Sequence, residues 1–259
     1  MSSSGIVLIP LALFIGMLVL GEVGRAIGRR RIRQNQQAPK SFVALEGAVF
    51  GLMGLLIAFT FSSAAVRFEQ RRQMVVEEAN TIGTAWLRLS MLPEDRQPAL
   101  RHEFRKYLDS RINFYSSMTE IPKARQYLRV GEGIQDDIWK QAVEASSAAS
   151  SPVIASLVLP PINAMIDTTT TGVMLAQTHL PGLISVLLGA LMLMCALLSG
   201  FESAPNASRS WVHTLVFALM LAMTLYVILD LDYPRLGLIR IDDADTALIE
   251  LKAKFAGGK

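Results

Sequence analysis

The chain has 259 residues, 51% of them hydrophobic and only 18% charged, with a mean hydropathy of +0.37. Soluble domains carry about 25% Asp, Glu, Lys and Arg, and four nearly uncharged stretches here are each long enough to cross ~30 Å of hydrocarbon. An ordinary soluble enzyme, a disordered chain and a disulfide scaffold are excluded, and a polytopic membrane protein is indicated.

The net charge of +3 is unevenly placed. Residues 24–42 hold Arg25, Arg29, Arg30, Arg31, Arg33 and Lys40 with no acid, whereas residues 67–180 balance 13 basic against 13 acidic groups. The tail from Asp230 has 5 basic and 6 acidic residues. The basic isoelectric point of 9.1 thus reports one juxtamembrane cluster, and no nucleic-acid partner is expected. The single Cys195 falls in an apolar stretch and supplies no disulfide framework.

The first span is predicted from Ile6 to Val23, retained because MSSSGIVLIP lacks a basic n-region and a cleavage site. A connection containing Asn35 and Pro39 leads to the second span, Phe42 to Val66. No turn signal follows it. Val75, Ala79, Ile82, Trp86 and Leu89 recur at helical spacing, so one long helix is expected to leave the membrane and end at Pro93. A second amphipathic helix fits Pro98 to Met118, with Leu100, Phe104, Leu108, Ile112 and Tyr115 on one face. A third begins at Pro122 and follows Tyr127, Ile134, Ile138 and Ala142, weakened by Gly131 and Gly133. ASSAASSP reads as a joint. A short apolar segment should then stop at Pro160-Pro161, with a further helix from Pro161 to Thr178.

Pro181 opens the third span, residues 182–201. A loop with Pro205 and Asn206 leads to the fourth, Trp211 to Leu229, and Pro234 closes it. The tail is predicted as an extended LGLIRI piece and a short helix capped by Asp245. The expected architecture is all-α: four transmembrane helices with a helical extramembrane bundle between the second and third. Its expected segments are residues 1–66 (two spans and their basic loop), 67–180 (the helical region continuous with the second span), 181–230 (the other two spans) and 231–259 (the tail).

Small residues mark two spans. Gly47, Gly51, Gly54 and Ala58 share one face of the second, and Ser185, Gly189, Ala196 and Gly200 one face of the third. Close backbone approach through such residues is how helices associate in lipid. The second-span stripe fits either packing within one subunit or lining the axis of an oligomer. Ionisable groups at membrane depth are functional candidates. Glu46 either faces a water-filled path or reaches the interface, favoured by the positive end of its own helix. Asp230 and Asp232 lie where the macrodipole disfavours acids, so partners are predicted among Arg235, Arg67, Arg71 and Arg72.

His102, His179 and His213 show no metal-ligand spacing, and no nucleophile, phosphate-loop or dinucleotide motif is present. Glu77-Glu78 and Asp136-Asp137 are adjacent pairs that point to different helix faces. No enzyme, cofactor or metal is expected. Trp211 suits an interfacial anchor.

EGAVFGLMGLLIAFTFSSAAVRFEQRR followed by VVEEANTIGTAWLRLSMLP resembles the bacterial bestrophin-like domain family. FALMLAMTLYVILDLDYPRLGLIRID and GEVGRAIGRRR are similar to its fourth span and to the exit of its first. The most distinctive block covers Glu78, Ala79, Asn80, Gly83, Thr84, Arg88 and Leu89. The resemblance implies kinship with bestrophins: pentameric anion channels with four spans per subunit, here a homo-oligomer of the bacterial inner membrane. AFTFSS lacks the flanking prolines of the bestrophin pore neck. The alternative is a non-conducting scaffold or sensor whose helical region binds a partner protein. Orientation is read from charge: seven basic residues (Arg25, Arg29, Arg30, Arg31, Arg33, Lys40, Arg209) against five (Arg67, Arg71, Arg72, Arg235, Arg240) favour the basic loop as cytoplasmic. The resemblance implies the reverse.

Overall fold

The computed structural model describes residues 3–34, 40–205 and 211–257; Asn35, Pro39, Asn206 and Arg209, named above, lie outside these. Every regular element among the described residues is helical, and four stretches are long and apolar enough to span a membrane. The chain divides into two compact units, Met1–Phe68 with His179–Ile239, and Glu69–Thr178 with Arg240–Lys259.

The first unit contains α1 (Ser3–Arg33), the first part of α2 (Lys40–Arg88), α6 (Gly182–Glu202) and α7 (Trp211–Asp232). Its helices α1 and α6 cross so closely that side chains are excluded. A Cβ on Gly24 would stand 2.0 Å from the Leu197 carbonyl oxygen, and one on Gly200 would stand 1.9 Å from that of Gly21. The predicted third-span stripe is thus engaged inside the subunit, with Ala196 buried beside it. Its partner is a Gly24-xxx-Gly28 motif on α1, inside the basic exit of the first span. Met17, Met53, Leu188, Met192, Cys195, Leu225 and Ile228 fill the core behind this crossing. Phe50 of α2 meets Phe217 of α7 at 6.0 Å between ring centres.

In the second unit α2 ends at Arg88, and a 3₁₀ turn (Leu89–Met91) follows. Leu92 is then extended, as a residue before proline must be. Val75, Ala79, Ile82, Trp86 and Leu89 are all buried, so the periodicity located the inner face of α2. The helices α3 (Gln97–Ser116) and α4 (Ile121–Ser147) each carry proline in the first turn, where the missing N–H costs nothing. Gly131 on α4 lets the two approach: its Cβ would meet Ser110 Oγ at 3.2 Å.

Two expectations fail here. Pro160-Pro161 does not end a segment, because α5 (Val153–Gln177) runs straight through both. The two prolines remove two backbone donors, but Val158, Ile162, Met165 and Thr169 are buried at i, i+4, i+7 and i+11, and this packing holds the helix together. Asp245 is not a cap either, since α8 (Asp242–Gly257) begins three residues earlier. α8 docks through Phe255, which stacks on Trp86 at 3.8 Å, and through Lys252, which pairs with Asp109 at 2.7 Å.

Candidate functional site

Among the described residues, nothing packs on the three glycines of the α2 face, Gly47, Gly51 and Gly54. No described atom lies within 4 Å of a Cβ built on any of the three. Ala58 is exposed on the same face. Phe61, fourteen residues beyond Gly47 and about four turns on, prolongs it and is 44% exposed. Ser62 is exposed beside it. From Gly47 to Val66 the sequence carries no ionisable residue, so this open strip is narrow-sided, uncharged and closed by one aromatic ring. Phe59, 64% exposed, points about 100° away from it.

Glu46 begins this segment but turns the other way. It is 7% exposed and lies near Glu202 at the end of α6. The subunit interior, rather than the open strip, receives this carboxyl.

Asp230 and Asp232, fully buried or nearly so, solve the problem of acids at a helix C-terminus in two ways. Asp232 pairs with Arg67 Nε at 2.8 Å and accepts the Leu180 N–H at 2.9 Å. His179 donates from Nδ1 to the Asp232 carbonyl at 3.3 Å and stacks on Tyr233 at 4.3 Å. One carboxylate therefore ties the exit of α2 to the entry of α6 and the end of α7. Asp230 instead accepts the backbone N–H groups of Leu238 and Ile239 at 3.0 and 3.1 Å. Within the expected extended LGLIRI piece, residues 237–239 are accordingly bends folded over Asp230. Gly237 is obligatory in that fold, since a Cβ there would lie 1.6 Å from Asp230 Oδ1. Of the predicted partners, Arg67 engages Asp232. Arg71 donates to the carbonyls of Leu175 and Thr178 at the end of α5, and Arg72 pairs with Glu69 at 2.8 Å. Arg235 sits half-buried in the turn after α7.

The distinctive block around residue 80 is split by its helix. Glu78 and Ala79 are buried, Asn80 and Thr84 are exposed, and Gly83 and Arg88 are half-buried. Glu78 is the acceptor of a buried network: Arg111 donates to both its oxygens, from Nε and from Nη2, and the Tyr115 hydroxyl donates to Oε2. Burial and then the Glu78 charge push the Tyr115 hydroxyl well above its usual range. Burial opposes the Arg111 charge, but Glu78 more than offsets it and the guanidinium titrates above its ordinary value. One turn away, Tyr107 shares a 2.5 Å hydrogen bond with Thr169, and Gln135 donates to both hydroxyls at 3.0 Å. Burial, with Glu78 second, pushes Tyr107 up to about 12. Arg111 was not expected on this face, where Ile112 had been placed. Its signal is present in the sequence: Phe104, Leu108, Arg111 and Tyr115 follow the same 4-3-4 spacing.

These hydrogen bonds and ion pairs tie helices to one another within each unit. Among the described residues, no cluster of three or more His, Cys, Asp or Glu is arranged to hold a metal.

A sequence profile for the Bestrophin-like domain matches residues 12–246. No curated protein sequence matches the chain. Among solved structures, crystal structures of a bacterial bestrophin homologue from Klebsiella pneumoniae share its fold. Two variant forms align with TM-scores of 0.70 and 0.71 at 12% identity, covering 96% and 95% of this chain and 99% of theirs. A third aligns with a TM-score of 0.68 at 11% identity over 94% of this chain and 98% of its own.

Proposed function

The chain belongs to the bestrophin-like family, and on that premise we propose that it forms a homo-oligomeric channel in the bacterial inner membrane, with α2 lining a path for anions. The observation that carries this reading is the vacant α2 strip. Three glycines on one face are costly inside a helix, about 1 kcal/mol each relative to alanine, and no contact among the described residues repays them. An axial opening uses them: small residues keep the path wide, Phe61 narrows it, and the exposed Ser62 offers a hydroxyl donor to a passing anion.

Chloride efflux from liposomes, measured on a preparation of known oligomeric size, tests the reading. Wild type should conduct above empty-vesicle background, Gly51→Trp should block, and Phe61→Ala should raise flux. Absence of flux from an oligomeric wild-type preparation, or full flux through Gly51→Trp, refutes it. The scaffold reading draws support from Leu87, 71% exposed beside Asn80 and Thr84 on the outer face of α2. Size in detergent separates the two, since a monomer leaves the strip without an axis. Orientation follows the charge count, with the basic loop cytoplasmic. Cysteines at the exposed positions Gln34 and Ser116 test it: an impermeant thiol reagent outside intact cells should label only Ser116→Cys.

A further inference from the structure

The arginine-rich end of α1 is helical to Arg33, and its outward side matches one chemistry. The helix continues unbroken from the first span to Arg33. Through the span its outward face is apolar: Leu11, Ile15, Val19 and Val23 are 42–56% exposed. Arg29 and Arg33 lie eighteen residues, about five turns, beyond Leu11 and Ile15, so they prolong that same face. Arg30 lies beside them around the helix, and all three arginines are exposed. Gly24 and Gly28 press the opposite side of α1 against α6, as far as Ala204 and Phe201, which fixes the rotation of the extension. Arg25 is different: it is 7% exposed and lines a small cleft with Ser199, Ser203 and Thr214.

Length places the outward arginines at a definite depth. Ile6 to Ile27 spans about 32 Å of helix, close to the ~30 Å of hydrocarbon, so Arg29, Arg30 and Arg33 fall in the headgroup layer. Ile27, just before these arginines, and Ile32, between Arg30 and Arg33, are 49% and 48% exposed and suit that interface better than water. No acid occurs from residue 24 to residue 42, and the negative end of the helix favours cations here.

We infer that Arg29, Arg30 and Arg33 form a binding surface for anionic phospholipid headgroups, holding a shell of such lipids against α1. Each arginine at a charged surface favours the anionic lipid by roughly fivefold at low salt.

The test reconstitutes full-length protein in vesicles of nine parts phosphatidylcholine to one part phosphatidylglycerol. The protein is then extracted with its lipid shell, and the ratio of the two lipids is measured by mass spectrometry against the bulk. Wild type should carry phosphatidylglycerol enriched at least about fivefold, falling toward bulk in 1 M salt. R29Q/R30Q/R33Q should lose the enrichment while keeping wild-type oligomeric size and melting. R72Q, which removes an arginine already paired with Glu69, should retain it. Equal enrichment in wild type and the triple variant overturns the proposal, as does enrichment insensitive to salt. A triple variant that changes oligomeric size with an unchanged lipid ratio also overturns it, by assigning the arginines to a second copy of the chain.

Discussion

Replacement of Glu78 gives the sharpest test of how the second unit is held together. Its carboxylate is 0% exposed and Arg111 1% exposed, so neither group has water to fall back on. Glu78→Ala strands a buried guanidinium, which costs about 3–5 kcal/mol, and deprives Tyr115 of its acceptor, adding about 1 kcal/mol. For a unit of this size each kcal/mol lowers the melting temperature by roughly 2–4 °C, so a drop of roughly 8–24 °C is expected. Trp86 and Trp139 both lie in this unit, and their fluorescence in detergent reports its melting. The double variant Glu78→Leu with Arg111→Met removes both charges and should cost far less than the sum of its singles. A coupling of at least about 2 kcal/mol is expected, because a buried pair replaced by apolar groups is often nearly neutral. Additive single variants, or Glu78→Ala melting like wild type, would show that the pair carries no mutual stabilisation.

The glycines should divide by location. Gly24→Leu, aimed at a carbonyl 2.0 Å from its Cβ, should abolish folded protein in size-exclusion chromatography, whereas Gly51→Ala should leave subunit stability equal to wild type or higher by up to about 1 kcal/mol. Gly237→Ala should lower the melting temperature more than Asp232→Asn, since the first collides with Asp230 and the second keeps an acceptor for the Leu180 N–H. Alkaline stability should reveal Tyr107. Its folded value of about 12 exceeds the usual 10, so above pH 10 the unfolded chain binds fewer protons and stability falls as pH rises toward 12. The loss is roughly 2–3 kcal/mol, and a denaturation series in Tyr107→Phe should show a flatter limb across that interval.

Helix existence was legible because apolar spacing and proline placement are local signals. Val75 to Leu89 showed the inner face of α2, and Pro93, Pro98, Pro122 and Pro181 marked real boundaries. Pro160-Pro161 misled because tertiary packing of Val158, Ile162 and Met165 outweighs two missing N–H donors. The acids were legible as a demand for partners, and Arg67 answers for Asp232. Asp230 was not, since its partners are backbone N–H groups of a segment with no side-chain signature beyond Gly237. The Glu78–Arg111 pair joins residues thirty-three apart on two helices, and periodicity within one helix does not reveal a pairing between two.

Glycine patterns show most directly what sequence omits. GxxxG occurs at Gly24–Gly28 and at Gly47–Gly51, and the motif predicts close approach without naming the partner. In α1 the partner is α6 of the same chain, and the crossing leaves no room for a Cβ. In α2 the same spacing finds open space. A monomer surrounded by lipid gains nothing from that strip, because alanine or leucine would strengthen the helix and fill the same surface at lower cost. We assign these glycines to a surface outside the subunit because no described residue packs on them. If the strip lines an axis, bulk added at Gly51 should stop flux and leave size and melting unchanged; if it packs against a neighbouring helix, the same substitution should dissociate the oligomer. Flux and size measured together on Gly51→Trp tell a pore wall from a helix contact.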